Sequence, residues 1–201
     1  MAKWSNWSGK LQAKPDRLHF LRSEEDARAL ANQATQSGQK IRVAGATHSH
    51  APLVQHDGII VDSSGLSGVI SVDTDKNTAW VWAGTRIYAL GRPLHEAGLA
   101  LANQGDIDQQ AICGATATGT HGTGVGLRNL SSSVIGATIA LASGEIIECG
   151  PDLNQQLWQA SRLHLGAFGI ITRLKLQLLP AYRLQETAWQ AGLNETMANF
   201  A

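Results

Sequence analysis

The sequence predicts an α+β fold of two lobes, a small βαβ lobe followed by a larger, mainly antiparallel sheet lobe with flanking helices. Three observations carry that expectation: an opening strand–helix–strand pattern, a series of strand-like segments joined by short turns, and a glycine-rich stretch within that series. At 201 residues, 43% hydrophobic and 16% charged, the chain has enough apolar surface for one large domain or two small ones.

Arg17-Leu18-His19-Phe20-Leu21 reads as a strand, and Ser23 followed by Glu24, Glu25 and Asp26 reads as a capped helix start matched to the helix dipole. Ala27, Leu30, Ala31 and Ala34 form one apolar face. The helix stops near Gly38, and Lys40 to Ala44 is the next strand, which closes a βαβ unit ending at about residue 66. Its carboxyl end runs into Gly45-Ala46-Thr47-His48-Ser49-His50-Ala51-Pro52, at the position where such units place ligands.

From about residue 67 to 180 the pattern is that of the larger lobe. Ile59 to Asp62 is a further strand before that boundary, and Gly68 to Asp73 and Thr78 to Ala83 are strands joined by the turn Thr74-Asp75-Lys76-Asn77. Arg86 to Ala97 has a helical pattern that Pro93 strains. Ser133 to Ala142 and Glu145 to Cys149 form a hairpin about Ser143-Gly144, and Pro151 to Ala160 starts a helix with Asp152 in its first turn. Gly169 to Leu179 is a strong strand ended by Pro180, and 181–201 opens a further element. Trp80, Trp82 and Trp158 suit the core or the lobe interface, whereas Trp4 and Trp7 suit the covering of a lobe edge.

Composition excludes several classes. Sixteen basic residues balance sixteen acidic ones without any block of like charge, so attraction to nucleic acid or anionic lipid is not indicated. Cys113 and Cys149 lack zinc-ligand spacing and are too few for a secreted disulfide framework, so no metal site is expected and reduced thiols in a cytoplasmic setting are. No window approaches the roughly 18 apolar residues of a membrane span; peripheral membrane attachment and the oligomeric state stay open. The stretch from Gly105 to Gly126, GDIDQQAICGATATGTHGTGVG, brings main-chain N–H groups close to a bound molecule, with Thr116, Thr118, Thr120 and Thr123 as hydroxyl donors. The same small residues suit tight helix packing, and Asp106 and Asp108 suit helix caps.

The ordered segments PDRLHFLRSEEDA, VAGATHSHAPL, VDSSGLSGVISVD, WAGTRIYALGRPLHEAGLAL, GDIDQQAICGATATGTHGTG and GAFGIITRLKL resemble the PCMH-type cofactor domain of vanillyl-alcohol-oxidase flavoproteins. Within that family the chain is similar to the sugar-1,4-lactone oxidase branch, which includes L-gulonolactone, D-arabinono-1,4-lactone and alditol oxidases. GDIDQQ and TGTHGTG are the most specific blocks, and they argue against the cytokinin, lactate and UDP-acetylmuramate relatives.

The resemblance implies an FAD-binding domain over 1–180, with lobes at about 14–66 and 67–180, and the start of a substrate domain at 181–201. It implies that Val43, Ala44, Gly45, Ala46, Thr47, His48 and Ser49 wrap the pyrophosphate. Asp106, Ala111, Gly114, Ala115, Thr118, Gly119, Thr120, His121 and Gly122 would lie along the diphosphate and isoalloxazine, and Gly169 and Ile170 at the adenine end. His48 occupies the position where many members bond covalently to the flavin, with His50 the alternative linker; members often carry glycine where Thr47 stands. Gly105 aligns with a position where a small residue admits oxygen, which favours oxidase over dehydrogenase.

The implied activity is oxidation of a CH–OH group of a sugar-1,4-lactone, or of a related polyol, by molecular oxygen, giving hydrogen peroxide. Remaining catalytic groups are expected in the substrate domain, so these 201 residues alone are expected to hold flavin and turn over poorly. The alternatives are a stand-alone flavin-binding module, an alditol oxidase or a lactone dehydrogenase. A nicotinamide enzyme is disfavoured, because no G-x-G-x-x-G follows the first strand.

Overall fold

In a computed structural model, residues 2–199 are described. The elements in chain order are β1 (Trp4–Ser5), β2 (Gln12–Ala13), β3 (Arg17–Phe20), α1 (Glu24–Gln36), β4 (Ile41–Ala44), β5 (Ile59–Asp62), β6 (Val69–Asp73), β7 (Thr78–Trp82), α2 (Ile87–Glu96) and β8 (Leu99–Ala100). They continue with α3 (Ile112–Ala117), a 3₁₀ turn at Leu130–Ser133, β9 (Val134–Ala140), β10 (Ile146–Cys149), α4 (Gln155–Ser161), β11 (Ile170–Gln177), β12 (Leu179–Pro180) and α5 (Leu193–Ala198).

The small lobe is a parallel three-stranded sheet in the order β3-β5-β4. Its crossover helix α1 begins where Ser23 Oγ accepts the Asp26 N–H at 3.0 Å, and it buries Ala27, Leu30, Ala31 and Ala34. The large lobe is an antiparallel five-stranded sheet in the order β10-β9-β11-β7-β6. The βαβ start, the hairpin and the long final strand agree with the expected mixed architecture.

Three local expectations differ. The last helix of the large lobe starts at Gln155 rather than Pro151, because Gly150 and Leu153 exchange backbone hydrogen bonds and hold Pro151 and Asp152 in a turn. Asp152 therefore precedes the helix. Pro93 stays inside α2, on its exposed side, where water can reach the carbonyl left without a donor. The N-terminal tryptophans sit on and beside a small hairpin, β1-β2, whose turn is organised by Asn6, only 3% exposed; its Oδ1 accepts the Leu11 N–H.

The lobes share their apolar interior. Ala140 and Ile170 of the large sheet are buried in the same cluster as Leu21, Leu30, Val61 and Leu66, with Trp82 and Ile146 packed against it. Trp82 is thus a lobe-interface aromatic. Trp80 lies beneath the Arg173 and Lys175 cations, and Trp158 donates its indole N–H to the Val134 carbonyl at 3.0 Å.

A polar latch completes the junction. Glu24, in the first turn of α1, accepts from Arg173 Nε at 3.0 Å and from Thr172 Oγ1 at 2.6 Å, both on β11. Residues 179–199 are exposed throughout, with β12 paired to β8 and Tyr182 donating to the Leu101 carbonyl. Among the described residues no helix is long and apolar enough to cross a membrane, and no group of three or more His, Cys, Asp or Glu could hold a metal ion.

The half-buried Glu24–Arg173 pair sets a measurable part of the lobe contact. Glu24→Ala is expected to lower unfolding stability by about 1–2 kcal/mol, from the lost charge-assisted hydrogen bonds, discounted for solvent at the pair. Urea denaturation checks this; an unchanged midpoint contradicts it.

Candidate cofactor site

The carboxyl end of β4 meets the amino end of α3 in a cleft between the lobes. A Cβ placed on Gly45 would stand 3.0 Å from the Ala111 Cβ and 3.8 Å from the Gly114 Cα, so the two segments touch through backbone. A Cβ on Gly114 would meet nothing within 4 Å, because that face of the helix opens on the cleft. The cleft has a volume of about 1030 Å³ including its open mouth, and an adjoining hollow of about 1150 Å³ shares Val43, Gly166 and Gly169 with it. Together they form an elongated space rather than a round pocket.

The β4 turn is a cluster of donors. Among the described residues, the backbone N–H groups of Gly45, Ala46, Thr47, His48 and Ser49 have no protein acceptor. Thr47 takes a left-handed conformation, φ +59°, which a β-branched residue rarely adopts. Thr47 thus follows a backbone conformation that glycine accommodates freely. Successive free N–H groups in such a turn make an anion-binding concavity. Arg42 adds a cation to the same wall and has no carboxylate partner among the described residues.

Of the residues singled out from sequence, Val43, Gly45, Ala46, Thr47, His48, Ser49, Ala111, Gly114, Ala115, Thr118 and Gly169 line the cleft. Ala44 is buried behind it, its carbonyl accepting from Ser63 N–H and Oγ. Ile170 lines the adjoining hollow, next to Gly169, whose φ of +100° and close approach to the Ala140 carbonyl require the absence of a side chain.

Gly105, Asp106, Gly119, Thr120, His121 and Gly122 stand outside the cleft. Gly119 (φ +72°) ends α3 and turns the chain away, after which His121 is exposed, with Nδ1 2.8 Å from the Gly122 carbonyl. Asp106 is exposed, and neither it nor Asp108 caps a helix: the residues preceding α2 and α3 are Arg86 and Ala111. The threonine hydroxyls are also partly committed within the protein. Thr116 donates to the Cys113 carbonyl, Thr118 to the Gly114 carbonyl, and Thr120 accepts from Gln110 Nε2. Part of this stretch is a short helix, and its Gly114, Ala115 and Thr118 line the cleft.

Sequence reasoning missed Arg42, Gln110, His164 and Gly166 on the wall. The signal for Arg42 was its place one residue before Val43 at the end of a strand; His164 had none. His164 is 8% exposed; its Nδ1 accepts the Gly166 N–H at 2.9 Å, which leaves the proton on Nε2, 3.6 Å from Cys113 Sγ. Burial pushes the Cys113 thiol up to about 12 and the His164 imidazole down to about 4. The pair is therefore a neutral thiol and a neutral imidazole, not an activated thiolate, and both cysteines are free.

His48 stands at the cleft with its pKa lowered, first by burial and then by the Arg86 and His50 charges, which favours the neutral ring. Its indole neighbour is Trp7, stacked with ring centroids 5.4 Å apart and 30° between planes.

A cluster of free amides beside a lone cation, glycines whose missing side chains leave room, and apolar walls at Ala83, Ala115, Ala117 and Ile171 define a domain that holds an elongated, anionic cofactor between two lobes. The chain belongs to the FAD binding domain family, whose profile matches residues 15–150. It is 36% identical over 194 residues to an L-gulono-1,4-lactone dehydrogenase of Mycobacterium tuberculosis, covering 96% of this chain and 45% of that protein. It is 32% identical over 197 residues to the L-gulonolactone oxidase of Bos taurus, covering 98% and 45%. Among solved structures, 6-hydroxy-D-nicotine oxidase from Arthrobacter nicotinovorans superposes with a TM-score of 0.77 at 26% identity, over 88% of this chain and 39% of that one. The chain thus spans about 45% of the length of these curated relatives. The cofactor is FAD, and the donor set described above fits its phosphates.

The depressed His164 pKa has a consequence for stability. The folded chain binds this proton less tightly than the unfolded chain, so stability is full above about pH 6.5 and is lost as pH falls toward about 4. The loss is on the order of 3 kcal/mol. Urea midpoints measured from pH 7 to 4 should fall accordingly, and His164→Gln should flatten that fall; parallel pH profiles for the two proteins would refute the assignment.

Proposed function

We propose that this chain is the FAD-holding part of an oxidoreductase that oxidises a CH–OH group of a sugar-1,4-lactone with oxygen as acceptor, giving hydrogen peroxide. The observation that carries the cofactor half of this reading is the turn at Gly45–Ser49, five free amides beside Arg42 in a cleft walled by Gly114. The lactone half is supported by the relatives over almost the full chain. When bound, FAD supplies a two-electron acceptor for hydride from the substrate carbon.

The chain's own groups bind and orient it. The amides of Gly45 to Ser49 and the Arg42 guanidinium hold the pyrophosphate, and the absent Cβ of Gly114 lets backbone lie against the cofactor. Ala111, Ala115, Thr118 and the Gly166–Gly169 turn would form walls that exclude water, and Gly169 and Ile170 would hold the adenine end. His48, neutral and set at the cleft, would contact the flavin and is the residue that would carry a covalent link to it. Gly119, Thr120, His121 and Gly122 act behind this wall by shaping the loop that follows α3.

The relatives divide between dehydrogenase and oxidase by name, and Gly105 bears on that choice. A methyl there would stand 3.0 Å from Thr120 Cγ2, and Thr120 is bonded to Gln110 on the cleft wall. Enlarging residue 105 therefore presses on the wall through Thr120, whereas glycine leaves it relaxed. Gly105 stands outside the cleft, so its proposed effect on oxygen access acts through this wall. A cytoplasmic setting agrees with the two free thiols.

Two measurements test the reading. FAD titrated into the chain should bind, and Arg42→Gln should weaken binding about tenfold, with a smaller loss for Arg42→Lys; an unchanged dissociation constant for Arg42→Gln removes the pyrophosphate role. Reduced, FAD-loaded protein should reoxidise rapidly in air and more slowly as Gly105→Ala. Equal reoxidation rates would leave the dehydrogenase as the better reading.

A further inference from the structure

The N-terminal hairpin reaches the histidine turn by three separate contacts. The Trp7 N–H donates to the Thr47 carbonyl at 3.0 Å, and Asn6 Nδ2 donates to the Ser49 carbonyl at 3.1 Å, so the main chain on both sides of His48 is tied down. Between these two bonds the Trp7 indole stacks on the His48 imidazole, and it meets His50 edge-on with centroids 6.4 Å apart. Asn6 is almost wholly buried and fixes the hairpin turn through Leu11 and Ser8. Trp7 itself is 67% exposed, so its ring contributes little to the core, and its aromatic contacts among the described residues are with these histidines.

We propose that Trp7 is the positioning residue for His48: its indole face sets the plane of the imidazole at the mouth of the cleft, in the orientation that meets the flavin. This rests on the reading of His48 as a flavin contact. The imidazole ring on a turn has two free side-chain torsions, and the main-chain bonds to Thr47 and Ser49 fix neither of them. The stacked indole limits both. It also explains why an otherwise costly, exposed tryptophan is placed in the turn of a hairpin of two-residue strands. The edge contact with His50 holds that second imidazole at an angle to the indole, so the hairpin distinguishes the two histidines and presents one of them.

The test is a double-mutant cycle on the full chain, with FAD as the probe and flavin fluorescence as the readout. Trp7→Ala should weaken FAD binding about two- to tenfold, the range of an aromatic stack, and Trp7→Phe should restore most of it. In a His48→Ala background, Trp7→Ala should add no further loss. Equal losses in both backgrounds, or no loss from Trp7→Ala while His48→Ala weakens binding, would overturn the proposal and leave the His48 reading intact. No effect of His48→Ala would instead overturn that reading, and this proposal with it. A measurement needing no variant is the nuclear Overhauser contact between the His48 ring protons and the Trp7 indole; its absence in the FAD-loaded wild type also overturns the proposal.

Discussion

The close approach of backbone to backbone at Gly45 and α3 is the constraint on which the site depends. A side chain on Gly45 would begin 3.0 Å from the Ala111 Cβ at the start of α3 and would force one of the two to shift, so glycine lets the β4 turn and the helix lie this close. That contact brings a turn from the parallel lobe onto a helix of the antiparallel lobe, and it makes the cleft a feature of the whole domain. The residues of the free amides at 45–49 line this space together with small residues of α3, Gly114 and Ala115. The proposed recognition of phosphate by these amides rests on this arrangement, since a layer of side chains would hold the donors several ångströms away.

Holding the two lobes in that relation takes more than one contact. Ala140 and Ile170 are inserted into the core that α1 covers, and the Glu24 latch to Thr172 and Arg173 lies at the start of the same helix. The lobes are therefore joined by apolar packing of large-sheet residues against the core of the small lobe. The buried His164 serves the same end on a smaller scale. By accepting the Gly166 N–H it stabilises a turn in which Leu165 and Gly166 both adopt left-handed conformations, and Gly166 is shared by the two halves of the elongated space.

The elements that sequence patterning identified best are those with a local cause. Ser23 before three acidic residues and the spacing of Ala27, Leu30, Ala31 and Ala34 mark α1, and the alternation through Ile171, Leu174 and Leu176 marks β11. The helix before β11 was misjudged where a turn bonded Gly150 to Leu153 and delayed the start, because such a turn competes with capping and leaves no distinct sequence mark. In the glycine-rich stretch, the first half lines the cleft and the second half, from Gly119 onward, does not. A composition of Gly, Ala and Thr announces close packing of backbone but does not say where the chain turns away from it.

What the sequence by itself determined was the α+β class, the order of the lobes, the histidine turn at the end of β4, the glycine-rich wall and, by its motifs, the flavin family. Those features are written in local propensity and short-range spacing, which act within a few residues. Only the tertiary structure decided that Arg42 and His164 share the cleft, that Cys113 is a neutral thiol beside a neutral imidazole, and that Trp7 stacks on His48 across forty-one positions. Each of these depends on chain segments brought together by packing, where burial and orientation follow from the shape of the filled core rather than from neighbours along the chain.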